Sequence, residues 1–478
     1  MQQQPTRNLS RRKFMATSAT AAAGFFIVPR HVLGKGYIAP SDKLNIAFVG
    51  VGGRPYDHIR ATKATENLAA FCDVDDSRAK KAYEESPNVP RYKDFRKMFD
   101  EQHKNIDAVV VGTPDHTHAV ATLAAMQLGK HVYVEKPLTH SISEARALLD
   151  ASKKYKVKTQ MGNQGASMDC NAAIAEWIQS GVIGEVRRVH VWTNRPVWPQ
   201  GVPTPQAPET MPDGLDWDLW LGPAAYRPYS AKYMPFKWRG WWDFGTGSLG
   251  DMGCHLIDPA YRALKLTTPT SVEATATTVW VGDFVEADYK DSCPPSSVVK
   301  MQFPARDTMP ACELWWYDGG LRPMRPEELG PNEEFGTWDG GVLFEGSKGK
   351  IVTGIYGDNA TLLPTSKMKD FTPPKPFLPR HTGEHQMVWV NAIKNNTPTS
   401  SPFEYACPLT ETLLIGNLAV RCYDYKRLKP GKTPTSWAPY EYPGRVRLEW
   451  DSAKMRVTNF EEANRFVRRD YREGWAGI

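Results

Sequence analysis

The chain contains no C-x-x-C pair and no zinc-type spacing, and seven cysteines in 478 residues do not make a disulfide scaffold. An oxidising compartment would permit one or two bridges, but spacing alone does not pair them. The mildly apolar stretch Met15–Val28 is about 14 residues long, too short for a bilayer span of ~20. There is no internal repeat and no low-complexity segment. A genuine excess of positive charge is also missing. The formal +6 owes five charges to Arg7, Arg11, Arg12, Lys13 and Arg30, and the remainder carries 54 basic against 53 acidic residues. A body that close to neutrality offers a nucleic acid nothing to hold.

What the N-terminus does contain is an address. Ser10-Arg11-Arg12-Lys13-Phe14-Met15 matches the twin-arginine export pattern, and Ala21-Ala22-Ala23 is one possible cleavage region. Residues 1–34 are therefore expected to be a signal peptide and leader. The mature protein would be periplasmic or otherwise exported, with no stable membrane insertion after cleavage. That route carries folded proteins, often already loaded with a cofactor.

From Leu44 onward short apolar runs alternate with amphipathic stretches, the signature of βαβ units around a parallel sheet. Strands are expected at 44–49, 67–72, 107–112, 131–135 and 157–161. Ser141 and Glu144 form a capping box that opens the helix running to about Tyr155. The first domain spans 42–165. A second, 166–440, has a helix at about 170–180, a strand at 185–193 and an aperiodic Pro- and Trp-rich stretch over 195–245. A helix from Ser248 to Leu264 follows it. Strand-like runs at 271–280, 296–303, 309–317, 341–346 and 350–354 then suggest an open, mostly antiparallel sheet, with helices at about 383–394 and 409–423. The free face of such a sheet commonly becomes a subunit interface. Residues 441–478 read as a return arm or a dimer contact.

The strand 44–49 feeds Gly50-Val51-Gly52-Gly53-Arg54, a turn whose amides can approach a pyrophosphate at a helix's positive end. The third glycine of G-x-G-x-x-G falls at Pro55 instead. Asp73, 23 residues after Gly50, suits the adenosine ribose hydroxyls and argues for NAD over NADP. Arg54 or Arg78 could offset its charge toward a 2′-phosphate. Thr113, Pro114 and His118, at the end of the strand 107–112, are expected beside the cofactor. The spacing of His116 and His118 disfavours a shared metal, so no metal site is expected. Thr113 and Thr117 would supply a helix cap. Asn163 and Gln164 either touch the nicotinamide or substrate, or form a polar turn.

The strand His131–Val134 ends in Glu135-Lys136-Pro137, a charged pair that folding does not ask for. Asp251 and His255 are i and i+4 on one helix face, and Asp258 shares it. A carboxylate one turn from an imidazole can hold its tautomer and support a proton acceptor. Seven tryptophans lie between 192 and 242, interspersed with Arg195, Lys237 and Arg239. Two or three should stack on a sugar while the others pack the loop, with Trp241 and Trp242 the best placed. His381 and His385 read as structural or interfacial.

At these motifs, the glycine turn, Thr113-Pro114, Glu135-Lys136-Pro137 and Asp251…His255, the chain resembles the Gfo/Idh/MocA family over roughly 42–425. The resemblance implies an α/β architecture: a Rossmann dinucleotide-binding domain plus a C-terminal α/β domain, usually oligomeric through its open sheet. It also implies that Lys136 hydrogen-bonds the reacting hydroxyl and His255 accepts its proton, with Asp251 orienting the substrate or imidazole. Glu135 would lie by the nicotinamide ribose, and the Lys136–Pro137 bond could be cis. The expected activity is oxidation of a secondary hydroxyl of a pyranose or glycoside with tightly held NAD. An NAD-dependent glycosidase and a non-catalytic sugar or nucleotide sensor remain alternatives.

Overall fold

The computed structural model describes residues 42–475; the export signal expected in 1–34 lies outside the described residues. Six strands form the first sheet: β1 (Asn45–Val49), β2 (Asn67–Cys72), β3 (Arg91–Tyr92), β4 (Ala108–Val111), β5 (His131–Val134) and β6 (Thr159–Met161). All pairings are parallel, in the order β3-β2-β1-β4-β5-β6. Every residue of β4 is buried, as expected of a strand covered by helices on both faces. Those helices are α1 (Arg54–Thr62), α2 (Asp76–Glu85), α3 (Phe95–Gln102), α4 (Asp115–Gln127) and α5 (Ile142–Tyr155). The Ser141–Glu144 capping box is present at the start of α5. Strand order reverses direction at β1 and β4, so their carboxyl ends splay apart and open a crevice, the place where such sheets bind ligands.

The second domain opens with α6 (Asp169–Gln179) and β7 (Val186–Thr193), then α7 (Trp217–Leu221) and α8 (Gly247–Ala263). Strands β8 (Ser271–Ala276), β9 (Trp280–Gly282), β10 (Val285–Glu286), β11 (Ser297–Phe303), β12 (Cys312–Tyr317), β13 (Gly340–Gly346), β14 (Gly349–Thr353) and β15 (Thr361–Leu363) follow. After α9 (His385–Asn395) and α10 (Phe403–Tyr423) come β16 (Arg427–Leu428), β17 (Tyr440–Glu441), β18 (Leu448–Asp451) and β19 (Arg456–Val457). Nine of these strands make one sheet, β15-β14-β13-β7-β12-β11-β8-β18-β19, antiparallel at every ladder except β7–β12. Strands β18 and β19 belong to the expected C-terminal arm, which therefore completes the sheet before it returns.

Burial alternates along β11 and β12, so one face is core and the other open. Against the core face lie α8 and α10. Gly416 lets α10 come so close that an added Cβ would stand 2.5 Å from Leu249 of α8 and 2.7 Å from Met301 of β11. The open face is a lattice of paired charges, with Lys300 2.9 Å from Glu313 and Arg188 within 3.6 Å of both Glu313 and Glu345. No described helix is long and apolar enough to cross a membrane. All seven cysteines are unbridged, and six of them are buried.

The stretch 195–245 is as irregular as its composition suggests, yet it has its own core of Leu215, Trp217, Trp220, Leu221, Tyr233, Met234, Trp241 and Phe244. His116 of α4 ties this core to the first domain. It lies 2.9 Å from the Trp220 carbonyl and 3.3 Å from that of Phe244. The Thr113 and Thr117 hydroxyls do not cap α4; both bond the Pro114 carbonyl.

Beside His116, Asp115 is buried, with one carboxyl oxygen accepting from the Thr246 hydroxyl and the other unpartnered. Burial pushes its carboxyl up to about 7. A raised folded-state value means the cost of keeping Asp115 in the fold is absent below the ordinary range near 4, grows as pH rises to about 7 and is constant above it. Asp115→Asn keeps the hydroxyl contact without the charge. Its stability relative to wild type is expected to improve between pH 4 and pH 7, by up to about 4 kcal/mol at ~1.4 kcal/mol per unit. Urea midpoints at the two pH values check this; a constant difference would contradict it.

Candidate active site

A cleft of about 550 Å³ opens over the carboxyl ends of β1, β2, β4 and β5, within the range of small-molecule sites. Its floor is the glycine turn. Gly50 adopts φ +84°, and an added Cβ there would stand 2.9 Å from the Gly112 carbonyl. Gly53, at φ +65°, precedes α1, whose positive end faces the crevice; Pro55 brings no N–H and the Tyr56 amide bonds the Gly53 carbonyl at 3.1 Å, which leaves the Arg54 amide of the first turn. The missing third glycine has a physical substitute. At position 55 the proline ring packs against Gly112 of the next strand, where an added Cβ would fall 2.3 Å from the Pro55 Cγ. The close helix–strand approach is thus supplied from the opposite side, a signal legible only once β1 and β4 are paired.

Asp73 lines the cleft at the end of β2. One carboxyl oxygen accepts the Val51 amide at 2.9 Å and the Gly52 amide at 3.3 Å, and the other accepts the Asp75 amide at 3.0 Å. It therefore shapes the glycine turn from beneath as well as presenting an acid where a ribose would lie. Thr113, Pro114, Arg54, Gly52 and Gly53 line the same cleft. Shape, the positive end of α1 and an acid at the second strand together fit a dinucleotide.

His118 does not line it. Its ring is buried, 2.8 Å from both the Pro137 and Thr113 carbonyls, so it fastens the β4 and β5 loops together. Among the described residues, no group of three or more His, Cys, Asp or Glu side chains converges as a metal site.

At the far end of the cleft, Glu135 lies 2.7 Å from His58 Nε2, with Arg54 Nε at 3.7 Å. Burial would raise the Glu135 carboxyl, but the His58 bond and the neighbouring charges of Arg54 and Lys136 hold it well below its usual range. His58 was invisible to sequence reasoning because nothing about a helix interior marks a histidine as facing β5. The Lys136–Pro137 bond is cis.

Lys136 reaches across to the second domain. Its Nζ donates to Asp251 Oδ1 at 2.8 Å and to the Asp251 carbonyl at 3.0 Å. Arg239 Nε donates to the same Oδ1 at 3.0 Å. Burial opposes ionisation of Asp251, yet these two cations keep its carboxyl well below the ordinary range. Asp251 therefore positions Lys136 and Arg239 rather than the imidazole, which corrects the expectation that it holds the His255 tautomer. Its position at i to His255 puts both on one helix face, but two cations outcompete a neutral ring for the carboxylate.

His255 lines the cleft, and its Nδ1 has no hydrogen-bond partner among the described residues. Burial, then the Lys136 charge, push it down to about 3, so the ring is neutral near pH 7. Tyr356, from the loop after β14, stands edge-on to it at 5.4 Å between ring centres. Its hydroxyl accepts from Gln164 Nε2 at 3.0 Å, so Gln164 does reach the site. Asn163 does not; it is fully buried beside Asp258. Asp258 itself lies outside the cleft. One further turn along α8 carries it into the packing, where it accepts from Asn171 at 2.8 Å and from the Tyr405 hydroxyl.

On the substrate side the aromatic choice needs correcting. Trp241 and Trp242 are buried packing residues: the Trp241 indole donates to the Lys232 carbonyl, and Trp242 lies under the Arg421 guanidinium. Trp198, Phe236 and Trp238 line the cleft instead. Periodicity could not distinguish them, because the loop has none. Arg195 lines it as expected, paired with Asp339. Arg239 was noted only as an interspersed charge; its guanidinium sits 4.2 Å from the Trp238 ring centre and 4.6 Å from that of Phe236.

Comparison with known proteins agrees with this geometry. Residues 44–163 match the oxidoreductase family's NAD-binding Rossmann fold, and residues 173–293 match the same family's C-terminal alpha/beta domain. A glycosyl hydrolase family 109 protein of Shewanella sp. (strain MR-4) is 26% identical over 206 residues, 37% of this chain and 44% of that protein. An alpha-N-acetylgalactosaminidase of Shewanella oneidensis is 24% identical over the same shares. The chain thus spans under half the length of the curated relatives it matches. Among solved structures, the WlbA dehydrogenase of Bordetella pertussis, in complex with NADH and UDP-GlcNAcA, superposes with a TM-score of 0.54 at 17% identity, covering 79% of this chain and 97% of that one. An aldose-aldose oxidoreductase of Caulobacter crescentus gives 0.51 at 19% identity over 79% and 98%. These likenesses carry the fold, and the two family matches together cover half of the sequence. The chain belongs to the Gfo/Idh/MocA family of NAD-binding oxidoreductases.

Proposed function

We propose that the protein oxidises a secondary hydroxyl of a pyranose sugar or glycoside, with its NAD held tightly between turnovers. The observation that carries this reading is the meeting of Lys136 and His255 on one cleft, across which Asp251 aims the amine. When bound, NAD supplies the acceptor for the carbinol hydrogen, held by the glycine turn, Asp73 and Glu135. The chain's own residues handle the proton. An ammonium has three N–H donors, and Asp251 engages two, so one remains for the substrate oxygen. That bond steadies negative charge as the O–H breaks and the C=O forms. The neutral His255 ring takes the proton. Trp198, Trp238 and Phe236 offer faces for a sugar's C–H groups.

Export of a loaded enzyme through the twin-arginine pathway fits a retained cofactor, because free dinucleotide is scarce outside the cytoplasm. Turnover then requires the hydrogen to return, to a second sugar or to the same substrate. The names of the Shewanella relatives favour the latter as a second reading. A ketone at C3 acidifies the C2 proton, the anomeric substituent leaves by elimination, water adds at C1, and C3 is reduced again. The net change is hydrolysis, outside the two-carboxylate scheme.

Incubation with a panel of glycosides and no added acceptor separates the readings. A stable ketosugar, equimolar with reduced cofactor, is expected for oxidation; a free monosaccharide in many turnovers means hydrolysis. Neither product, with sugar still bound, would leave a sensor.

A further inference from the structure

We propose that Trp475 is a cofactor-binding residue, and that residues 467–475 form a strap retaining the dinucleotide by its adenine end. This rests on the reading that NAD is held between turnovers. Beyond Asp73 the cleft is walled by Lys93, Asp94 and Phe95 on one side, by Leu219 and Trp220 on the other, and by Trp475 between them. With the glycine turn at the pyrophosphate and Asp73 at the ribose, that end is where the adenine ring must lie.

The indole is held there rather than merely near. Its ring centre is 6.0 Å from that of Phe95, and the Arg96 guanidinium stacks 4.3 Å from it. Arg96 Nη1 also donates to the Gly474 carbonyl at 3.1 Å. Upstream, Arg469 donates to the His116 carbonyl and the Tyr471 hydroxyl to Glu144 Oε1, at 3.0 and 2.7 Å, which fastens the strap to the first domain. Arg472 fastens it to the aperiodic loop, donating through Nε to the Gly222 carbonyl at 3.0 Å and through Nη2 to that of Asp218 at 2.7 Å. The strap thus joins the two walls of the cleft at one end. A planar base entering there meets an indole already immobilised, and aromatic stacking on a base is largely indifferent to the base's identity. This gives retention without a new charge.

The test uses the full chain and reads cofactor binding, not turnover. Wild type, Trp475→Ala, Trp475→Phe and Arg472→Gln are passed through gel filtration, and the NAD released on denaturation is measured. Titrations with ADP-ribose and with nicotinamide mononucleotide follow on the stripped proteins. Wild type and Trp475→Phe should keep their NAD. Trp475→Ala should lose it, with ADP-ribose affinity down roughly 10- to 100-fold and mononucleotide affinity unchanged. Arg472→Gln, which cuts the strap from the aperiodic loop but leaves the indole, carries the same expectation if Trp475→Ala does not fold. Retention by both variants, or equal loss of both ligands, would overturn the proposal. A wild type that retains no NAD yet oxidises sugar when NAD is added would also overturn it, while leaving the oxidation reading in place.

Discussion

Lys136→Met is expected to lower kcat/KM for the sugar by roughly 10³-fold, with NAD affinity nearly unchanged. The side chain keeps its length and loses its charge. Two things go with it: the donor to the reacting oxygen, and one of the two cations that hold Asp251 ionised. Asp251 would then keep only Arg239. An arginine at 136 should not restore activity, since its bulkier planar guanidinium does not reproduce the tetrahedral directions of the ammonium's three donors. Steady-state kinetics with a fluorescence titration of the cofactor decide the matter. Activity within tenfold of wild type would remove Lys136 from the reaction.

The second large effect is at His255. His255→Asn should reduce kcat by about 10²- to 10⁴-fold, the usual worth of a positioned proton acceptor. The pH profile adds an independent sign. Protonation silences the base, and burial with the Lys136 charge pushes this ring down to about 3. Wild-type kcat/KM should therefore stay level as pH falls from 7 to 5, where an exposed histidine would already be protonated near 6.5. A decline with an apparent midpoint near 6.5, absent in His255→Asn, would mean the ring is solvated in the working enzyme.

Much of this site could be read from the chain because strand ends advertise themselves. The residues at 50–54, 73, 113–114 and 135–137 each follow an apolar run, and in a parallel sheet those ends converge. The pair Asp251 and His255 was visible through helical spacing. What spacing could not show is who bonds whom: Asp251 turns to Lys136 and Arg239, and Asp258, one turn on, is spent on Asn171 and Tyr405. The tryptophan-rich loop was harder still. Its rings all look like ligand platforms in one dimension, and only the packed cluster reveals that Trp241 is mortar while Trp238 faces the opening. Tyr356 and Trp475 arrive from segments more than 90 residues beyond α8, with no local motif to announce them.

The unbridged cysteines have a bearing on the protein's life history. Because none of the seven cysteines is bridged in this fold, its assembly does not wait for an oxidant. Under the proposed export, assembly around the nucleotide would finish where the nucleotide is plentiful, and the loaded enzyme would work where it is scarce.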